Sequence, residues 1–177
     1  IENKNYHIHK ITLEEGKDKE RFGGSFEEAK RVTKTLVEES VMSRSVADVP
    51  IGTFVSGGVD SSVVTHCLAK NINGKINTFS IGFDKKSFDE TDKSKVVAKI
   101  VGSNHHEFIV NEKLMEGYID NILNNFDEPF ADASAIPTYM VAHKTSEYLK
   151  VALTGDGGDE VFGGYNKYYI NSINRSY

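Results

Sequence analysis

A chain of 177 residues, 38% hydrophobic and 27% charged, holds enough apolar material for one buried core and falls among ordinary globular sequences. No apolar run approaches the ~20 residues that a membrane-spanning helix needs, and the formal net charge of −5 comes without any Lys/Arg-dense tract, so neither a membrane protein nor a general nucleic-acid binder is expected. The single cysteine, Cys67, excludes an internal disulfide or a cysteine zinc cage, and the N-terminus (Ile1 to Asn5) is polar and unlike a signal peptide; a reducing, cytoplasmic setting is the expectation.

Residues 1–24 are mixed, with a short alternation at Tyr6 and Ile8 before a charged stretch, and read as a lead-in or linker. A helix is predicted to begin at Ser25, where Ser25 and Glu28 form a capping-box pair. Apolar residues then recur at Ala29, Val32, Leu36, Val37 and Val41 along one helical face, and Pro50 is expected to stop it. Ile51 to Val55 is a short β-branched and aromatic run ending in Ser56-Gly57-Gly58, which predicts a buried strand feeding a glycine turn.

The alternation continues. Val63, Val64, Cys67 and Leu68 share one face of a predicted helix, and residues 76–83 read as the next strand. Val96, Val97, Ile100 and Val101 mark another helix, and residues 107–110 a third strand. Leu114, Met115, Tyr118, Ile119, Ile122 and Leu123 predict one amphipathic helix. A further helix runs from about Ser134, with Pro137 in its first turns, to Tyr148, and residues 151–154 form the last strand. Strands alternating with helices imply an α/β fold, a parallel sheet with helices on both faces, over residues 25–177.

Open parallel sheets bind ligands at the carboxyl ends of their strands, and two glycine-rich segments fall there. The first is Ser56-Gly57-Gly58-Val59-Asp60-Ser61-Ser62, between a strand and a helix. Adjacent glycines let the backbone approach an anion and present N–H groups to it. The helix N-terminus adds partial positive charge, and Ser61 and Ser62 add hydroxyl donors. The string lacks the Gly-Lys-Ser/Thr ending of a Walker loop. It places the carboxylate of Asp60 inside an anion site instead, which is sensible when a cation such as Mg²⁺ bridges it to phosphates. The plainer alternative is a strand–helix turn in which Asp60 and Ser61 are caps.

That string resembles the pyrophosphate loop of the ATP pyrophosphatases, whose members include the synthetases of asparagine, GMP, NAD and argininosuccinate and several tRNA-modifying enzymes. The resemblance implies an adenine nucleotide alpha hydrolase-like fold, cleavage of ATP between its α and β phosphates, and adenylation of an acceptor oxygen. The second segment, Thr154-Gly155-Asp156-Gly157-Gly158-Asp159-Glu160-Val161-Phe162-Gly163-Gly164-Tyr165, is similar to the signature of asparagine synthetases and their close amidotransferase relatives. The family pattern implies that Thr154 and Gly155 contact the nucleotide and that Asp159 joins Asp60 in holding a metal–pyrophosphate. Asp156 stands where asparagine synthetases usually carry a glutamate tied to forming the aspartyl-adenylate, which leaves the acceptor carboxylate open between aspartate and another. A solvated, calcium-binding acidic loop is the alternative, without the ligand spacing of an EF-hand.

Asp48-Val49-Pro50-Ile51-Gly52 also matches the family, as do Phe79-Ser80-Ile81-Gly82-Phe83, Phe88-Asp89-Glu90 and His105-His106-Glu107. Together these place Phe54 and Ile81 beside the nucleotide, with Ser56, Gly57, Gly58, Ser61 and Ser62 at its phosphates. Asp60, Asp156 and Asp159 are the expected catalytic carboxylates. The implied substrates are ATP with Mg²⁺, aspartate, and ammonia drawn from glutamine. In intact family enzymes an N-terminal glutaminase domain supplies the ammonia through its first cysteine. Residue 1 here is Ile, so this chain is expected to lack that domain, and the synthetase domain is expected to continue past Tyr177; a homodimer stays open. His105 and His106 fall on opposite faces of a strand and are expected to be structural. His7 and His9 have no third partner, Cys67 reads as core and Lys167 as a surface lysine, while Asp127 and Glu128 before Pro129 fit a helix ending and a site equally.

Overall fold

The computed structural model describes residues 22–86, 89–128, 132, 134–168 and 170. The lead-in up to residue 21, with His7 and His9, and Phe88 and Pro129 lie outside the described residues. The chain divides into two compact units, residues 1–36 and 37–177.

The first helix, α1 (Phe26–Arg44), begins as its cap predicts: the Glu28 N–H donates to Ser25 Oγ at 3.2 Å. It ends well before Pro50. The Ser43 hydroxyl donates to the Ser40 carbonyl and the Ser45 hydroxyl to the Met42 carbonyl, so side-chain hydroxyls take over helix carbonyls and close the last turn.

Among the described residues four strands follow: β1 (Ile51–Phe54), β2 (Asn77–Phe83), β3 (Asn104–Val110) and β4 (Val151–Leu153). They form one wholly parallel sheet in the order β3-β2-β1-β4, with Gly52 paired to Asn77 on one side and to Ala152 on the other. Between them lie α2 (Val59–Asn71), α3 (Thr91–Val101), α4 (Glu112–Glu116), α5 (Ile119–Leu123) and α6 (Ala135–Thr145), and α7 (Gly158–Phe162) follows β4. Helices α2 and α3 contact each other and the sheet, and α6 packs on β2.

Alternate strand residues face different layers. Ile51, with Val151 and Leu153 behind it, packs against Val41 of α1 and Cys67 and Leu68 of α2. Phe54, Phe79, Ile81 and Phe108 form a second cluster with Val141 of α6 and Leu149. Gly52 permits that second layer, since a Cβ there would stand 2.6 Å from Leu149 Cδ1. Phe79 and Leu68 are wholly buried; burying such side chains is worth about 1.5–3 kcal/mol each.

Two helices depart from the periodicity. The buried positions of α3 are Thr91, Ser94 and Ala98, while Val96 (57% exposed) and Ile100 (74%) point outward. The reason is a close approach: a Cβ on Gly57 would stand 2.9 Å from Ser94 N, so the loop backbone lies directly on α3 and only small residues fit between. The predicted amphipathic helix from Leu114 to Leu123 is split into α4 and α5 at Gly117, where the chain tightens through Tyr118 N–H to the Met115 carbonyl at 3.0 Å. Likewise α6 stops at Thr145, and residues 146–148 continue as turns.

Candidate functional site

Strands β1, β2 and β3 are laid down outward in one direction, and β4 then returns to the free side of β1. The connections diverge at that point, and a crevice opens beyond the strand ends. The glycine segments after β1 and after β4 both empty into it. They are far apart in sequence and touch in space: a Cβ on Gly155 would stand 2.5 Å from Ser61 N and 2.8 Å from the Asp60 carbonyl carbon.

The first loop is held by its own serines. Ser56 Oγ lies 3.0 Å from Ser61 Oγ, the Ser56 N–H donates to Ser61 Oγ at 3.2 Å, and the Gly58 N–H donates to Ser56 Oγ at 3.2 Å. Helix α2 then starts on Gly58, which offers no side-chain cap. The N–H groups of Val59, Asp60 and Ser61 therefore have no intrahelical carbonyl, as in any first helical turn. Asp60 does not serve as the cap. Its carboxyl group lies against Gly158 of the second loop.

In the second loop, Asp156 folds back: Thr154 Oγ1 donates to its Oδ2 at 3.0 Å, and the Asp156 N–H donates to Thr154 Oγ1 at 3.4 Å. Gly157 takes a φ of 88° and turns the chain into α7, so Asp159 and Glu160 stand in the first turn of a short helix rather than in an open loop. Gly163, with a φ of 69°, ends α7 and reverses the chain. Tyr165 thereby comes back to donate its hydroxyl to Glu160 Oε1 at 2.8 Å. That bond, above all, pushes the Tyr165 pKa up to about 12 and holds the Glu160 carboxyl below its ordinary value. Lys167 stays on the surface, its ammonium 4.5 Å from the centre of the Tyr165 ring.

These elements enclose a cleft of about 610 Å³. Of the residues predicted from sequence, Phe54, Ser56, Gly58, Asp60, Ser61, Ile81, Thr154, Gly155, Asp156 and Asp159 line it. Gly57 and Ser62 do not: Gly57 (φ 81°) packs on Lys93 and Ser94 of α3, and the Ser62 hydroxyl donates to the Gly58 carbonyl at 2.6 Å. Its lining is of two kinds, apolar at Phe54, Phe79, Ile81, Pro137 and Val141 and acidic at Asp60, Asp156, Asp159 and Glu160, with no Lys, Arg or His among the lining residues. Among the described residues no three His, Cys, Asp or Glu side chains converge to cage a cation by themselves. A smaller cavity of about 320 Å³ between α5 and α6 (Ile122, Phe126, Ala135, Tyr139) holds no charged group.

Sequence reasoning assigned no role to Glu160, Tyr165, Ser80 or the α6 residues Pro137, Thr138 and Val141, all of which line the cleft. Glu160 and Tyr165 lie inside the second string and could have been found there; α6 carries no local signal. The two neighbouring histidines fall on opposite faces as expected. His105 Nδ1 is 2.9 Å from Thr78 Oγ1, with its pKa lowered chiefly by burial, and His106 stacks on Phe79 across the sheet.

The model of the asparagine synthase family matches residues 33–177. The chain is 44% identical over 133 residues to a putative glutamine-hydrolysing asparagine synthetase 2 of Methanocaldococcus jannaschii, covering 75% of this chain and 26% of that protein. It is 38% identical over 135 residues to the glutamine-hydrolysing asparagine synthetase 1 of Bacillus subtilis, covering 76% and 21%. The chain therefore spans about a quarter of the length of these relatives. Among solved structures, an NH3-dependent NAD synthetase from Campylobacter jejuni superposes with a TM-score of 0.51 at 10% identity, over 81% of this chain and 62% of that one. This likeness bears on the fold alone, and it is the expected adenine nucleotide alpha hydrolase-like arrangement.

Proposed function

The chain belongs to the asparagine synthase family, and from that premise we propose that it is the ATP-using part of a carbon–nitrogen ligase that adenylates the side-chain carboxylate of aspartate and passes it to ammonia. The observation that carries this reading is the meeting of the two glycine loops at one crevice, with Asp60 of the first lodged against Gly155 and Gly158 of the second. The apolar cluster of Phe54, Phe79, Ile81 and Val141 in the cleft lining suits an adenine ring. The first-turn N–H groups of α2 suit the phosphates.

The four carboxylates raise a charge problem, because ATP is itself an anion. Mg²⁺ is held by one or two carboxylates together with substrate phosphates rather than by a protein cage, and a pair such as Asp60 and Asp159 fits that demand. Bound there, Mg²⁺ would neutralise the pyrophosphate leaving group. The chain's own residues do the rest by positioning. An acceptor carboxylate oxygen attacks the α-phosphorus, the bond to the β-phosphate oxygen breaks, and pyrophosphate leaves. Ammonia then attacks the acyl carbon, the acyl–oxygen bond breaks, AMP departs, and the nitrogen loses a proton. Glutamine is the proposed ammonia source, through a glutaminase domain elsewhere in the complete protein. A cytoplasmic setting and a homodimer belong to the same reading.

A second reading rests on Asp156. Its carboxylate is shorter than the family's usual glutamate and is drawn back onto Thr154, so another carboxylate acceptor fits equally well at that wall. Pyrophosphate–ATP exchange by the complete protein decides between them. Exchange that requires aspartate supports asparagine synthesis. Exchange with a different carboxylate and none with aspartate overturns that acceptor and leaves adenylation standing, and no exchange with any acceptor overturns both.

A further inference from the structure

The second loop carries five glycines, and they are glycine for two different reasons. Gly157 and Gly163 have φ of 88° and 69°, with open space where a Cβ would stand. Those two serve backbone conformation. Gly155, Gly158 and Gly164 are not in the left-handed region, so conformation does not demand glycine there. What they lack is room. A Cβ on Gly158 would run into the Asp60 carboxyl carbon and stand 2.7 Å from its Oδ2, and a Cβ on Gly164 would run into Asp159 Oδ1 and stand 3.0 Å from its Cγ. Gly158 is also the first residue of α7, a position that does not itself call for glycine.

We propose that Gly158 and Gly164 are positioning residues, each left without a side chain so that a carboxylate, Asp60 on the first and Asp159 on the second, occupies that space and is aimed into the cleft. The two carboxylates come from different loops, yet each is seated on a glycine of the second. Asp159 is further fixed because the Gly164 N–H donates to the Asp159 carbonyl at 2.9 Å. A methyl group at either glycine would turn the carboxylate away without removing it. This inference rests on the reading of Asp60 and Asp159 as the carboxylates that share a divalent cation with ATP.

The test uses Mn²⁺ as a paramagnetic stand-in, with its binding to the ATP-saturated full chain followed by electron paramagnetic resonance. Gly158→Ala and Gly164→Ala are expected to weaken Mn²⁺ binding by roughly 10–100-fold, the usual effect of disturbing a group that orients a metal ligand. Gly102→Ala, which strains the backbone (φ 69°) at the end of α3 and meets no carboxylate, is expected to keep wild-type affinity below its melting temperature. A wild-type chain showing no ATP-dependent Mn²⁺ binding overturns the cation reading and this proposal with it. Wild-type binding that both alanine variants retain in full overturns the positioning role alone. Melting gives a second readout should Gly158→Ala fold poorly. In an Asp60→Gly background neither the carboxylate nor the Cβ that a methyl on Gly158 would meet remains, so Gly158→Ala should there be neutral or stabilising, and an equal loss in both backgrounds defeats the proposal.

Discussion

In the loop after β1 the side chains hold the backbone, with Ser56, Ser61 and Ser62 bonding to one another and to Gly58. In the loop after β4 the relation is inverted. There the backbone makes room for side chains, with Gly155 and Gly158 lying flat against Asp60, and Gly164 against Asp159. Both strings look alike on paper, rich in glycine and aspartate. One is a self-bonded shell that opens into a helix with no side-chain cap, and the other is a backbone surface on which two carboxylates lie. Composition alone does not distinguish a glycine that bends from a glycine that yields space.

The largest effect expected is on Asp60, where the two loops join. Asp60→Asn should reduce acceptor-dependent pyrophosphate–ATP exchange by on the order of 10²-fold, the scale for losing one preorganised electrostatic contact. Its melting should change by less than ~1 kcal/mol, since the side chain is not a cap and asparagine matches its shape. Near-normal exchange would break the view that this carboxylate belongs to the chemistry.

Gly155→Ala tests the contact between loops. The added methyl meets backbone at Ser61 N, 2.5 Å away, and backbone yields less than a side-chain tip. A loss of roughly 1–3 kcal/mol in urea denaturation is expected, as for overpacking elsewhere, together with lost exchange. Unchanged stability would mean that the two loops do not touch.

The bond from Tyr165 to Glu160 ties the far end of the second loop together, and it predicts a pH dependence. A tyrosine whose folded pKa is about 12, above its ordinary 10.0, contributes stability that is complete below pH 10 and is lost as pH climbs toward 12. For Glu160, held below its ordinary 4.5, the same contact contributes above that pH and is lost as pH falls through the lowered value. Tyrosinate absorbance should show one late-titrating tyrosine that Tyr165→Phe removes. A native titration with every tyrosine near pH 10 would contradict the bond.

Ser62→Ala should matter least. Among the described residues its hydroxyl donates to the Gly58 carbonyl, and Ser62 does not line the cleft; a change of that kind stays within about 0.5 kcal/mol. A large loss of exchange in this variant would move Ser62 into the phosphate site and erase the distinction drawn between the loop's serines.

Much of this was legible beforehand. The strand–helix alternation and the two glycine loops could be read from the residues, and ten of the twelve residues singled out there line one cleft. Where legibility failed, a tertiary contact had overridden a local pattern. Val96 and Ile100 carry helical spacing, yet the face of α3 that packs is Thr91, Ser94 and Ala98, because loop backbone at Gly57 leaves space for nothing larger. The run from Leu114 to Leu123 has the right period, and Gly117 still broke it. Glu160 and Tyr165 gain meaning only when Gly163 turns the chain back on itself.

By itself the sequence determined what neighbours along the chain can decide: the α/β alternation, the glycine turns at strand ends, the carboxylates they carry, and Cys67 and Leu68 as core. Periodicity and turn chemistry are local, so they survive in one dimension. Only the tertiary structure decided that β4 returns beside β1 rather than extending the sheet past β3. That choice brings residues 154–165 against residues 56–61, sets α6 as the wall of the cleft, and gives Gly158 its carboxylate. Pairing between distant parallel strands depends on which faces bury together, and no short window of sequence contains both partners.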